Sequence, residues 1–192
     1  MTDSLAPATV LPLLRGRFGR PYTYVERCES TQRLLGDAPI GAVAATDEQT
    51  AGRGRLGRDW VAPPATSVLA SIVLHPDVPT ASLPELSLVA GRACAHALAE
   101  VAGVEPEVKW PNDVLIGGSK VAGILAEARE GRVVLGIGIN VLQTAEQLPP
   151  HARHPATSLL LETDRRIPRA NLLAAALDHL EREHDAWVAG YR

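Results

Sequence analysis

Three extended, largely apolar pieces in the second half of the chain, residues 108–116, 120–128 and 132–142, are joined by glycine turns at Gly117-Gly118 and Glu130-Gly131. Turns this short cannot hold the crossover that parallel strands need, so the three pieces must run antiparallel. A doubly wound parallel array is thereby excluded. The pattern predicts an α+β fold, with a mixed, largely antiparallel sheet flanked by helices.

The first half supplies the remaining elements. Residues 22–25 (Tyr-Thr-Tyr-Val), 41–46 and 66–75 read as strands, and the last is long and apolar enough to be central. Residues 1–20, with Pro7 and Pro12, hold one helix at most. Ser30 or Thr31 can cap a short helix that runs through Leu35 and closes at Gly36. Within residues 82–101, Leu86, Val89, Ala93, Ala97 and Val101 recur at three- and four-residue steps, which gives a helix with one apolar face. A last helix starts at Pro168 and lines up Leu173, Leu177, Leu180, His184 and Trp187.

A chain of 192 residues, 46% hydrophobic, suits one domain with a single core. No apolar run approaches the ~18 residues that span a bilayer, and the start lacks the basic flank and apolar stretch of a secretory signal. The expectation is a cytoplasmic protein without membrane contact. A net charge of −3 disfavours a general nucleic-acid binder. Cys28 and Cys94 are too few for a disulfide framework and read as buried thiols. His151 and His154 form an H-x-x-H pair in a proline-flanked loop without further ligands, and read as surface residues.

Two segments carry chemistry. Residues 52–57 (Gly-Arg-Gly-Arg-Leu-Gly) match G-x-G-x-x-G, yet a dinucleotide site needs a helix directly after the glycines. Pro63-Pro64 forbids that helix. The loop still suits anions: glycines let backbone approach a ligand, Arg53, Arg55 and Arg58 offer forked charge-assisted bonds, and Trp60 anchors the far end. The second segment holds the only two lysines among 19 cationic residues, Lys109 and Lys120. Lys109-Trp110-Pro111-Asn112-Asp113 places a cation, an amide and a carboxylate on a turn that Pro111 stiffens. Lys120 begins the next strand. A lysine among apolar neighbours needs a partner, either Asp113, Glu127 or a bound anion.

Five blocks in this order resemble biotin protein ligases. They are residues 29–32 (Glu-Ser-Thr-Gln), 48–60 (the arginine-glycine loop with Glu48, Gln49 and Trp60), 109–113, 120–127 and 136–141. The resemblance implies a fold related to class II aminoacyl-tRNA synthetases. It also implies two half-reactions: biotin and ATP give biotinyl-AMP and pyrophosphate, and biotin then passes to a lysine of a biotin carboxyl carrier domain of acetyl-CoA carboxylase or a related carboxylase. By motif position, Ser30, Thr31, Gln32 and Gln49 would hold the biotin ring, with Gly52, Arg53, Gly54, Arg55, Lys120 and Gly123 completing its site. Arg53, Arg55, Arg58, Trp60, Lys109, Asn112, Lys120 and Asn140 would serve ATP and the adenylate. Lys120, Arg55 and Asp113 would act in catalysis, Asp113 as base or holder of the acceptor amine. Mg²⁺ would enter through the ATP phosphates, with no protein ligand assigned.

The family usually has Asp-Ser-Thr-Asn where this chain has Glu29-Ser30-Thr31-Gln32. The resemblance further implies one catalytic domain over residues 1–192, without the winged helix of repressor-type members and hence without DNA binding. The small C-terminal β-barrel common in the family is expected to be absent or truncated, and the molecule to be a monomer or homodimer. Other readings of the same residues are a lipoate or octanoate ligase of this fold, a biotin-binding domain of weak activity, and an arginine-loop nucleic-acid module. A single Phe opposes base stacking in the last.

Overall fold

In the computed structural model, which describes residues 3–150 and 155–191, every side chain of strand β3 (Ser67–Leu74) is buried. A strand covered on both faces must lie inside a sheet. It pairs antiparallel with β2 (Val43–Gln49) on one side and β7 (Arg132–Asn140) on the other. Among the described residues the sheet has seven strands, completed by β1 (Tyr22–Cys28), β4 (Pro106–Lys109), β5 (Asp113–Ile116) and β6 (Ser119–Arg129). Their order is β1-β2-β3-β7-β6-β5-β4, and the β1–β2 pair is parallel. All other pairs are antiparallel, as the glycine turns require.

Alternation sends Val68, Ala70, Ile72 and Leu74 of β3, with Leu135, Ile137 and Ile139 of β7, to one face. There they meet α3 (Leu86–Ala102) and α5 (Arg169–Ala189) in one large core. The stripe Leu86, Val89, Ala93 and Ala97 is buried, and α3 ends at Gly103, whose φ of 70° is the left-handed form that glycine allows. Leu173, Leu177 and Leu180 of α5 bury against the same layer, each contributing roughly 1.5–3 kcal/mol by leaving water. Two short helices, α1 (Pro7–Val10) and α4 (Leu159–Thr163), fill the ends. The opposite face carries α2 (Thr31–Leu34) and a small cluster around Leu35, Ala44 and Val73.

Three expectations change in detail. Residues 108–116 are not one strand: the Trp110–Asn112 turn splits them into β4 and β5, with Lys109 opposite Asp113. β2 runs on through Asp47, Glu48 and Gln49, which polarity alone assigned to the loop. Pro168 caps α5 rather than entering its first turn. No helix among the described residues is long and apolar enough to cross a membrane. Both cysteines are free thiols; Cys94 is buried, but Cys28 is only half-buried. His151 and His154 lie outside the described residues.

Candidate active site

On the open face the register sets three glycines together. Gly138 pairs with Leu69 and Gly123, and Gly136 with Ser71 and Leu125. Side chains at these positions would project into the cleft, so glycine there makes a floor of bare backbone. The indole of Trp60 lies on that floor: a Cβ at Gly138 would come within 2.6 Å of the ring, and one at Gly123 within 2.9 Å. The Trp60 Nε1–H is buried and has no partner among the described residues.

The polar end of the slot is built around Gln49. Backbone bonds from Thr50 N–H to Cys28 O and from Ala51 N–H to Glu29 O, both 2.9 Å, clamp the end of β2 against the entry to α2. Gln49 Oε1 then accepts from the Thr31 N–H at 2.8 Å and the Thr31 hydroxyl at 3.2 Å. Thr31 Oγ1 also lies 2.7 Å from Ser71 Oγ. Gln32 reaches across to donate from Nε2 to the carbonyls of Leu125 and Val134, both at 3.3 Å. Ser30 is buried beside Thr31.

The arginine-glycine loop is a closed ribbon. Trp60 N–H donates to Gly52 O at 3.0 Å, the backbones of Arg53 and Asp59 pair antiparallel, and Gly54 N–H donates to Arg58 O at 2.6 Å. A Cβ at Gly52 would meet Trp60 O at 2.4 Å, which explains the glycine. The turn passes through Leu56 and Gly57, both at positive φ (62° and 72°). No long helix follows, in agreement with the prolines. The Gly54 N–H is engaged inside the ribbon, so the loop's anion-binding capacity rests mainly on the exposed guanidiniums of Arg53, Arg55 and Arg58.

Lys120 and Asp113 converge from neighbouring strands, with Nζ 2.6 Å from Oδ1. The ammonium stands 5.6 Å from the Trp60 ring centroid. Asn112 is locked to β6 twice, its side-chain Nδ2 donating to Ile124 O at 2.8 Å and its backbone carbonyl accepting from Ile124 N–H at 2.9 Å. Asn140 is equally committed, with Nδ2 on Thr157 O and Oδ1 accepting from Gln143 Nε2, each at 3.0 Å. Both asparagines line the cleft, Asn140 with both ends of its amide in use and Asn112 with its Nδ2 committed. Lys109 is exposed on the outer rim.

The cleft has two lobes. The inner one, about 480 Å³ including its open mouth, contains Ser30, Thr31, Gln32, Gln49, Arg53 and the glycine floor. The outer one, about 1440 Å³ together with the open solvent at its mouth, contains Arg58, Lys109, Asp113 and Asn140. Gly54, Arg55, Trp60, Asn112 and Lys120 line both. Every expected residue thus borders the cleft except Gly52, which acts behind it by holding the loop on Trp60. Sequence reasoning missed Leu69 and Ser71, which look like ordinary central-strand residues until the register turns them toward the slot, and Gln143, whose amide ties Asn140 to Ser67. Among the described residues no three carboxylate, histidine or cysteine side chains group as metal ligands.

Comparison with known proteins adds family evidence. The profile of the biotin/lipoate A/B protein ligase family matches residues 24–143. The bifunctional ligase/repressor BirA of Bacillus subtilis is 38% identical over 176 residues, covering 86% of this chain and 54% of that protein. The biotin–[acetyl-CoA-carboxylase] ligase of Mycobacterium tuberculosis is 40% identical over 156 residues, covering 79% and 56%. The chain therefore spans about half the length of these relatives. Among solved structures, the biotin protein ligase from Aquifex aeolicus in complex with biotin and ATP superposes with a TM-score of 0.79 at 31% identity, covering 88% of this chain and 72% of that one.

Proposed function

The chain belongs to the biotin/lipoate A/B protein ligase family, and from that premise we propose that it activates biotin with ATP and transfers the biotinyl group to a lysine of a carboxylase carrier domain. One observation carries the choice of substrate: a glycine-floored slot runs from a polar end at Thr31, Gln49 and Gln32 to a cationic end at Lys120, Arg53 and Arg55. Biotin has that polarity, with a cyclic urea at one end and a carboxylate at the other. Gln49 uses Oε1 on Thr31, which leaves Nε2 to donate to the urea carbonyl. Gln32 uses Nε2 on two backbone carbonyls, which leaves Oε1 to accept from a urea N–H. A lipoyl or octanoyl chain offers nothing to either amide, so the shared family alternative fits less well.

In the first half-reaction a biotin carboxylate oxygen attacks the α-phosphorus of ATP and pyrophosphate leaves. Both reactants are anions, and fixed cations that align and neutralise them supply most of the assistance. Lys120 and Arg55 fit that task, with Arg53 and Arg58 on the phosphates and Lys109 and Asn112 on the nucleotide side. The described residues do not fit a resident divalent ion, since Asp113 is already paired with Lys120. Magnesium would arrive as part of the nucleotide substrate.

The Lys120–Asp113 pair gives the two half-reactions an order. Substrate anions that draw Lys120 away leave the Asp113 carboxylate free to hold the acceptor ammonium and take its proton. The amine then attacks the acyl carbon, the bond to the phosphate oxygen breaks, and AMP leaves. A reaction drawing on ATP suits the cytoplasm. The test is biotin-dependent exchange of labelled pyrophosphate into ATP in the presence of magnesium. Exchange is expected, and a folded protein without it would refute the proposal.

A further inference from the structure

Among the described residues the three most exposed large apolar side chains are Leu56 at 76%, Trp110 at 74% and Val61 at 73%. All three stand at the outer lobe of one cleft. They come from two separate segments, the arginine-glycine loop with the residue after it and the β4–β5 turn, so no single apolar run accounts for their sharing one lobe. Single exposed apolar residues are ordinary, whereas a cluster rimmed by charge marks a surface that something covers. Leu56 adds to the case: it holds φ 62°, a conformation costly for leucine, and its side chain gains almost no burial in return.

The rim has a sign. Arg55, Arg58 and Lys109 line the same lobe as the apolar trio, Asp59 is the opposing charge on the loop, and Asp113 is neutralised by Lys120. A nucleotide within the cleft needs at most one flat side chain for its base. It leaves the rest of the trio in water. The transfer step does require a larger occupant, because a folded domain must bring its lysine to an acyl carbon beside Lys120 and so must rest on this mouth. We propose that Leu56, Val61 and Trp110 are the seat for the acceptor domain, and that the seat fits a surface on which the target lysine stands among apolar and acidic side chains. The inference rests on the ligase reading above. Trp110 is its central anchor, since a large aromatic side chain that becomes desolvated dominates such contacts.

Three assays on Trp110→Ala and Val61→Ser test the seat. The first is biotin-dependent pyrophosphate exchange. The second is trapping with hydroxylamine, whose nitrogen attacks the acyl carbon and displaces AMP without any docking. The third is transfer to the isolated, unbiotinylated acceptor domain of an acetyl-CoA carboxylase. Both variants are expected to raise the KM for the domain at least fivefold, with exchange and trapping within about twofold of wild type. The wild-type KM for the domain is expected to rise with ionic strength, because the cationic rim is screened. An unchanged KM for the domain in both variants overturns the seat. So does a parallel loss in all three assays, which would assign the residues to the nucleotide. A wild-type dimer that Trp110→Ala dissociates would make the patch a contact between copies, also against the proposal. Absent exchange in the wild type removes the ligase reading and the seat with it. Val61→Ser keeps the test sound if Trp110→Ala fails to fold.

Discussion

Single atoms set the character of the slot. The Lys120 ammonium lies between the Asp113 carboxylate and the Trp60 ring, and only 3.1 Å from where a Cβ on Gly123 would stand. A guanidinium is broader and planar, so Lys120→Arg keeps the charge but loses the position. Pyrophosphate exchange is expected to fall about 10²-fold, the scale of losing one aligned charge at a reacting centre; near-normal exchange would mean that Lys120 serves only as a salt-bridge partner. Gly138 makes the complementary case. Its Cβ would press within 2.6 Å of the indole, so Gly138→Ala must displace Trp60. We expect a shifted tryptophan emission spectrum and a Kd for biotin at least tenfold higher, with little change in the urea midpoint. Asp113→Asn is expected to slow transfer to the acceptor roughly 10²–10⁴-fold, the range for losing a general base, while hydroxylamine trapping changes far less. Equal losses in both would remove Asp113 from the transfer step. The types and order of these residues were legible because each motif is local. Ser71 and Leu69 were not, since nothing within β3 says which face of the sheet a ligand will use.

At the scale of elements, local rules succeeded where turns were short. The short turns at Gly117-Gly118 and Glu130-Gly131 gave the antiparallel run, and the three- and four-residue steps of Leu86, Val89 and Ala93 gave α3. They failed where a long-range partner decides. β2 extends through Asp47 because the far side of the sheet supplies that carboxylate with donors, among them the Tyr24 hydroxyl at 2.6 Å. β1 carries a pH dependence for the same reason. Burial, and then the bond to Asp47, pushes the Tyr24 phenol up to about 12, and burial raises Tyr22 as well. A phenol in the unfolded chain ionises near 10. Between pH 10 and 12 the folded protein therefore retains protons that the unfolded chain has lost, and stability falls as pH rises through that window. Below pH 10 these phenols leave the stability flat. Urea midpoints measured from pH 8 to 12 should show that decline. Tyr24→Phe should flatten part of it, leave the part due to Tyr22, and cost about 1 kcal/mol at neutral pH through the lost hydrogen bond. An unchanged alkaline slope in the variant would exclude Tyr24 as its source.

Across the whole molecule one side chain joins the helical layer to the base of the cleft. Arg169, at the first turn of α5, is fully buried, with Nε 2.7 Å from Asp3 Oδ2, Nη1 2.8 Å from Asp47 Oδ1, and a further bond to Ser67 O. A buried guanidinium is tolerated because each direction of its fork finds an acceptor. No sequence rule could have picked it from 17 arginines, since its partners are 122 and 166 residues away. Asp47 precedes Gln49 by two positions, and its carbonyl accepts from Ala65 N–H at 2.9 Å, closing the base of the arginine-glycine loop. Arg169→Met leaves two carboxylates without their cation, at a cost of about 3 kcal/mol, the low end for breaking a buried pair whose carboxylates keep some contact with water. If the network also holds the loop, the variant should bind biotin more weakly under conditions where it is still folded, and residues 50–64 should become more sensitive to protease. Loss of stability with unchanged biotin affinity and loop cleavage would limit Arg169 to packing, and the loop would then owe its shape to the Gly52–Trp60 ribbon alone.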